Sequence, residues 1–134
     1  MMNQTEKKGI FKLFIDGYFD LLEFIKTHSN NNSDFKKFYM KNYLLKKANI
    51  KLFIKTWYES ITVNYYQPIM NENVEYFLNK SYDSEVSNVQ NQFNIKYYIS
   101  YFKTIYNKLD RSLIQGFINK IKYVTQLSYI YYKK

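Results

Sequence analysis

The stretch Asn49-Ile50-Lys51-Leu52-Phe53-Ile54-Lys55-Thr56-Trp57-Tyr58-Glu59-Ser60-Ile61-Thr62-Val63-Asn64-Tyr65 decides the fold class. Ile50, Phe53, Ile54, Trp57, Ile61 and Tyr65 recur at helical spacing, which puts them on one face of an α-helix. A half-buried strand would alternate apolar and polar residues, and no segment of this chain alternates for long enough. Pro68 is expected to end this helix, since the residue before a proline is pushed out of the helical region.

Outward from that helix, the same spacing recurs on both sides. Towards the N-terminus, Phe35, Phe38, Tyr39 and Leu45 form the stripe of a second helix over 33–47, with Ser33 as its cap. Before it, Phe11, Phe14, Ile15, Tyr18, Leu22 and Ile25 define a first helix, with Lys12, Asp16, Asp20 and Glu23 on its outer face. Residues 1–8 read as a flexible N-terminal arm. Towards the C-terminus, 67–92 carries a short helical piece around Val74 and then loop-like Ser, Asn and Asp, with a break at 91–94. Ile95, Tyr98, Ile99, Phe102, Ile105, Tyr106 and Leu109 mark a fourth helix, and Leu113, Phe117, Ile121, Val124, Ser128 and Tyr131 a fifth. The short link between these two predicts an antiparallel hairpin. The expected architecture is all-α: one compact domain over 1–134 with about five amphipathic helices. Phe14, Ile54, Trp57, Ile61, Phe102, Ile105, Phe117 and Ile121 are expected in its core.

At 134 residues, the chain is long enough to bury a core without metal or disulfide support. Its 46% hydrophobic and 21% aromatic content separates it from disordered sequences, which have too little apolar surface to offset chain entropy. Lys, Asn, Ile and Tyr are abundant, while Ala, Pro and Arg each occur once. That is the signature of a low-GC genome, so the excess of Lys over Arg is partly codon bias.

The inventory disfavours an enzyme. The absence of cysteine excludes a thiolate zinc site and a Cys nucleophile. The single histidine, His28, falls at the end of the first helix, where a cationic ring complements the helix dipole. Gly9, Gly17 and Gly116 are isolated and form no phosphate-cradling loop. No catalytic residue, metal, cofactor or small-molecule substrate is expected. The most apolar stretch, 10–25, is interrupted by Lys12, Asp16, Asp20 and Glu23, so no membrane span is expected, and the first residues lack the pattern of a signal peptide. These features predict a cytoplasmic protein.

Two surface readings remain. The net charge is +9, and the second and third helices hold Lys36, Lys37, Lys41, Lys46, Lys47, Lys51 and Lys55 with no acid between Asp34 and Glu59. Lysines at this density neutralise phosphates, so Lys36, Lys37, Lys41, Lys47, Lys51 and Lys55 are a candidate nucleic-acid surface, with Lys96, Lys103, Arg111, Lys120 and Lys122 as a second cluster. The lone Arg argues against base-specific readout, and a solvated lysine face in a low-GC chain has the same appearance. Tyrosine supports the other reading. The last two helices carry tyrosines on more than one face, and exposed Tyr gives large contact area at little entropic cost. Tyr97, Tyr101, Tyr129 and Tyr132 are therefore the candidate interface for another protein or a second copy. Assembly ranks ahead of nucleic-acid binding.

The run from Asn49 to Trp57, followed by Tyr65, Ile69 and Tyr76-Phe77-Leu78-Asn79-Lys80-Ser81-Tyr82, resembles uncharacterised small proteins of large nucleocytoplasmic DNA viruses of the giant-virus type. Leu109-Asp110 and Tyr123-Val124-Thr125-Gln126-Leu127-Ser128 match a second part of that pattern. The chain departs from it at Asn64, where Pro is expected, and at Glu72-Asn73, where Gly-Asp is expected. The resemblance transfers no catalytic or binding residue. It implies a viral protein of the host cytoplasm or the virion.

Overall fold

A computed structural model describes residues 3–28, 33–79, 103, 106 and 111–133. The regular structure among them is α1 (Gln4–His28), α2 (Ser33–Ala48), α3 (Leu52–Trp57), a π-helical turn (Tyr58–Thr62), α4 (Val63–Met70), α5 (Val74–Asn79) and α6 (Arg111–Lys133). The fold is all-α, as the periodicity predicts.

Helix α1 is the centre of the packing. Phe14, Ile15, Tyr18, Leu21, Leu22 and Ile25 are all buried, a stripe too wide for one neighbour, and the helix packs against α2, α3 and α6. Against α6 it runs antiparallel along nearly its whole length: Phe24 meets Gly116, Asp20 pairs with Lys120, Gly17 lies under Tyr123 and Phe11 faces Tyr131. Against α2 it is antiparallel too, with Tyr18 bonded to Asn42 and Glu23 to Tyr39. From α3, Trp57 packs edge-on against Phe14 and Tyr18, and Phe53 against Tyr18 and Phe19. Phe14, Ile54, Trp57, Ile61 and Phe117 are buried as expected, and Ile121 packs partly buried against them. Phe102 and Ile105 lie outside the described residues, as do the break at 91–94 and most of the fourth helix with its hairpin.

The close approach of α1 and α6 depends on a missing side chain. A Cβ at Gly17 would stand 3.0 Å from the Tyr123 ring and 3.1 Å from Val124 Cγ1, and Val124 is fully buried with nowhere to retreat. At Gly9, by contrast, a Cβ meets nothing within 4 Å. Gly9→Ala should therefore stabilise the protein by about 0.5–1 kcal/mol through helix propensity. Gly17→Ala gains the same propensity but presses on the Tyr123 ring and the buried Val124, which must give by a few tenths of an ångström, at a cost of about 1–3 kcal/mol. Urea midpoints that shift in opposite directions would bear this out, and a stabilising Gly17→Ala would refute it.

The expected N-terminal arm is corrected. Only its first residues precede the helix, because α1 reaches back to Gln4. The cause is a reciprocal cap: the Glu6 amide donates to Asn3 Oδ1 at 2.8 Å, and the Asn3 amide donates to Glu6 Oε1 at 3.2 Å. This capping box satisfies two backbone donors that the first turn otherwise leaves unpaired.

The third expected helix also differs. Pro68 does not end it, since α4 continues to Met70. A proline inside a straight helix clashes with the carbonyl four residues back, here that of Asn64. The backbone departs from helical geometry at the next residue, Tyr65 (φ −131°, ψ 15°), and this kink accommodates the ring. The helix stops at a paired backbone motif, in which the Asn73 amide bonds to the Pro68 carbonyl and the Glu72 amide to the Ile69 carbonyl. Such a stop needs a left-handed residue, usually glycine. Glu72 occupies that position with φ 53°. At the other end, α3 starts at Leu52, so Ile50 sits on a turn and is exposed instead of joining the stripe.

Candidate functional site

Three arrangements of side chains stand out from the packing. The first is a polar seam inside the core. Trp57 Nε1 donates to Thr125 Oγ1 at 3.1 Å, and Thr62 Oγ1 shares a short hydrogen bond with Ser128 Oγ. Ser128 Oγ also donates to the Thr125 carbonyl at 2.9 Å. Each group satisfies its neighbour, which is the requirement for burying polar atoms at all. The seam holds α6 against α3 and the π turn.

The second is a terrace of tyrosines. From α6, Tyr129 stacks on Tyr66 of α4 with centroids 4.2 Å apart, and Tyr132 lies 4.7 Å from Tyr58 of the π turn. Tyr131 stands edge-on to Tyr132 and faces Phe11, with the Lys7 ammonium over its ring. Tyr132 is exposed, with its neighbour Ile130, while Tyr58, Tyr66, Tyr129 and Tyr131 are half-buried. Burial, then the neighbouring Tyr131 and Glu59, raises the Tyr132 pKa, and the Tyr129 hydroxyl bonded to Lys133 raises that of the ammonium. The structure thus brings two of the four expected interface residues, Tyr129 and Tyr132, onto one ledge. Tyr97 and Tyr101 lie outside the described residues.

The third is the outward face of α2. Phe35, Phe38, Tyr39 and the buried Asn42 point inward. Burial of the Tyr39 hydroxyl, with its hydrogen bond to the Glu23 carboxylate, pushes its pKa from 10.0 up to about 12, so this inner face carries neutral tyrosine well past neutral pH. Outward lie Lys36, Lys37, Lys41 and Lys47, all exposed, and Lys51 and Lys55 continue the exposed set onto the turn and α3. The expected basic run is therefore at the surface. Lys46 is not part of it, since its ammonium folds over the Phe19 ring at 4.8 Å.

Two members of the second lysine cluster are engaged within the chain, while Arg111 is exposed and Lys103 half-buried. Lys120 pairs with Asp20, and Lys122 with Glu72 at 2.7 Å. The hydrogen bond from Lys122 holds the Glu72 carboxyl below its usual range. Lys96 lies outside the described residues. What composition alone did not single out is the apolar content of the α2 face: Leu44 is 62% exposed, Met40 54% and Tyr43 45%. Their phase could have revealed two of them, because Met40 and Leu44 fall opposite the Phe35, Phe38 and Tyr39 stripe, while Tyr43 lies at its side against Tyr39 and Phe19.

Among the described residues no group of three His, Cys, Asp or Glu could hold a metal ion, and no helix is long and apolar enough to cross a membrane. His28 ends α1 as expected. No family model, no curated protein and no solved structure matches this chain.

Proposed function

We propose that this chain is a non-enzymatic interaction module that works by protein assembly, with copies of the chain meeting at the tyrosine terrace. The observation that carries this reading is the stacking of Tyr129 on Tyr66 and the tilted packing of Tyr132 on Tyr58, half-buried rings beside the exposed Tyr132 and Ile130. Rings already fixed by stacking lose little further freedom when a partner covers them, so most of their contact area contributes to affinity. The seam beside them, Thr62 to Ser128, fixes α6 against the π turn. Such a role would serve the virion or the infected cytoplasm that the viral resemblance implies.

Sedimentation velocity from about 5 to about 500 μM tests it, a range that brackets the affinity of weak self-association. The wild-type sedimentation coefficient should rise with concentration, and Tyr132→Glu, at an exposed position, should hold it at the monomer value. A monomeric wild type throughout would overturn the reading.

Nucleic-acid binding is the second reading, favoured by the exposure of Lys36, Lys37, Lys41, Lys47, Lys51 and Lys55. It ranks lower because Lys120 and Lys122 are engaged in ion pairs within the chain and do not add to the basic surface.

A further inference from the structure

The outward face of α2 has a geometry that neither reading uses. At about 100° per residue, Met40 and Leu44 stand one turn apart and form a ridge along the crest of the helix. Lys36 and Lys47 project on one side of that ridge, and Lys37 and Lys41 on the other. Tyr43 sits at its margin, and Ile50 and Lys51 carry the pattern past the end of the helix, both exposed. The whole face is thus a convex apolar crest with ammonium groups on either flank.

We propose that α2 docks this protein on an anionic lipid surface, lying in the plane of the bilayer with Met40 and Leu44 entering the headgroup boundary. Three comparisons of chemistry favour that occupant. A duplex or single strand would be served by the lysines, but would set phosphates against the most exposed aliphatic side chains of the helix, with only Tyr43 able to stack on a base. A protein partner would find a face dominated by Lys, which is depleted in protein interfaces, and without Trp or Arg. An anionic bilayer uses both components at once. Long lysine stems can lie beside the crest and lift their ammonium groups to the phosphates, while the crest gains apolar burial. The charge complementarity is local as well as global, since 35–58 carries seven lysines and no acid within a chain of net charge +9. This surface is separate from the tyrosine terrace, so either reading can fail alone.

The test is co-sedimentation of the purified chain with phosphatidylcholine vesicles, with and without about 30% phosphatidylserine, at about 0.1 M salt. The expected result is binding to the anionic vesicles only. Removing Lys37, Lys41 or Lys47 should weaken it by about fivefold each. The double substitution Met40→Asn, Leu44→Asn should weaken it at least tenfold while leaving the thermal midpoint unchanged, because both side chains are largely exposed already. A Leu44→Trp variant should show a blue-shifted emission on anionic vesicles, over the constant background of the buried Trp57.

Three results would overturn the proposal. One is failure of the wild type to bind anionic vesicles. Another is undiminished binding by the Met40, Leu44 double variant, which would reduce the effect to polycation adsorption. The last is capture of a short DNA duplex with vesicles ignored, which would return the face to nucleic acid.

Discussion

Trp57→Ala should lower the stability of the protein by about 3–5 kcal/mol, the range for truncating a buried aromatic side chain. Trp57 is fully buried between Phe14 and Tyr18 of α1, so its removal leaves a cavity at the junction of α1, α3 and α6. It also takes the Nε1 donor away from Thr125 Oγ1, whose own residue is fully buried. Both effects have the same sign. For a domain this size the expected loss is a large part of the total stability, and the variant should be mostly unfolded at modest urea. A urea midpoint within experimental error of wild type would remove Trp57 from the core.

Asn42→Ala is expected to have the next largest effect, about 2–3 kcal/mol, because it strips the acceptor from a buried hydroxyl as well as opening space. Asn42 is fully buried, accepts from the Tyr18 hydroxyl at 2.7 Å and donates to the Phe38 carbonyl at 2.8 Å. The physics predicts a specific non-additivity. Tyr18→Phe alone should also destabilise, by orphaning the Asn42 oxygen, yet Tyr18→Phe with Asn42→Leu should recover much of the loss, since an apolar pair has no unmet hydrogen bond. Chemical denaturation of the two single variants and the double variant gives the coupling energy directly. Strict additivity would show that the two side chains act independently.

The helical class and most of the core were legible because burial and helical period coincide. Phe14, Ile54, Trp57, Ile61 and Phe117 are each the natural centre of a stripe, and the structure buries them. Asn42 was not legible. Set among Lys36, Lys37, Lys41 and Lys46, it reads as one more polar surface residue, and only the arrival of Tyr18 from another helix makes its burial tolerable. The N-terminal cap was written in the sequence as Asn3-Gln4-Thr5-Glu6, but Lys7, Lys8 and Gly9 interrupt the apolar period there and mask it. Pro68 misleads because the rule for proline assumes a straight helix, and the bend at Tyr65 lies outside that assumption. The exposure of the α2 lysines was readable from charge alone. The apolar crest between them required knowing which side of α2 faces α1, which is tertiary information.

The run Trp57, Ile61, Tyr65 and Ile69 advances by four residues at every step, more than a regular helical turn contains. All four are nevertheless buried, and the π turn at Tyr58–Thr62 is where the surplus is taken up. Deleting one residue there would leave a more regular helix, yet would swing everything after it by about 100°, carrying Thr62 away from Ser128 and Tyr66 away from Tyr129. Inserting one would swing it the other way. The constraint on this segment is therefore on the number of residues more than on their kind. Substitutions at Glu59, Val63 or Asn64, which are exposed, change little, whereas a change of length anywhere between Trp57 and Tyr65 dismantles the interior seam and the exterior ledge together.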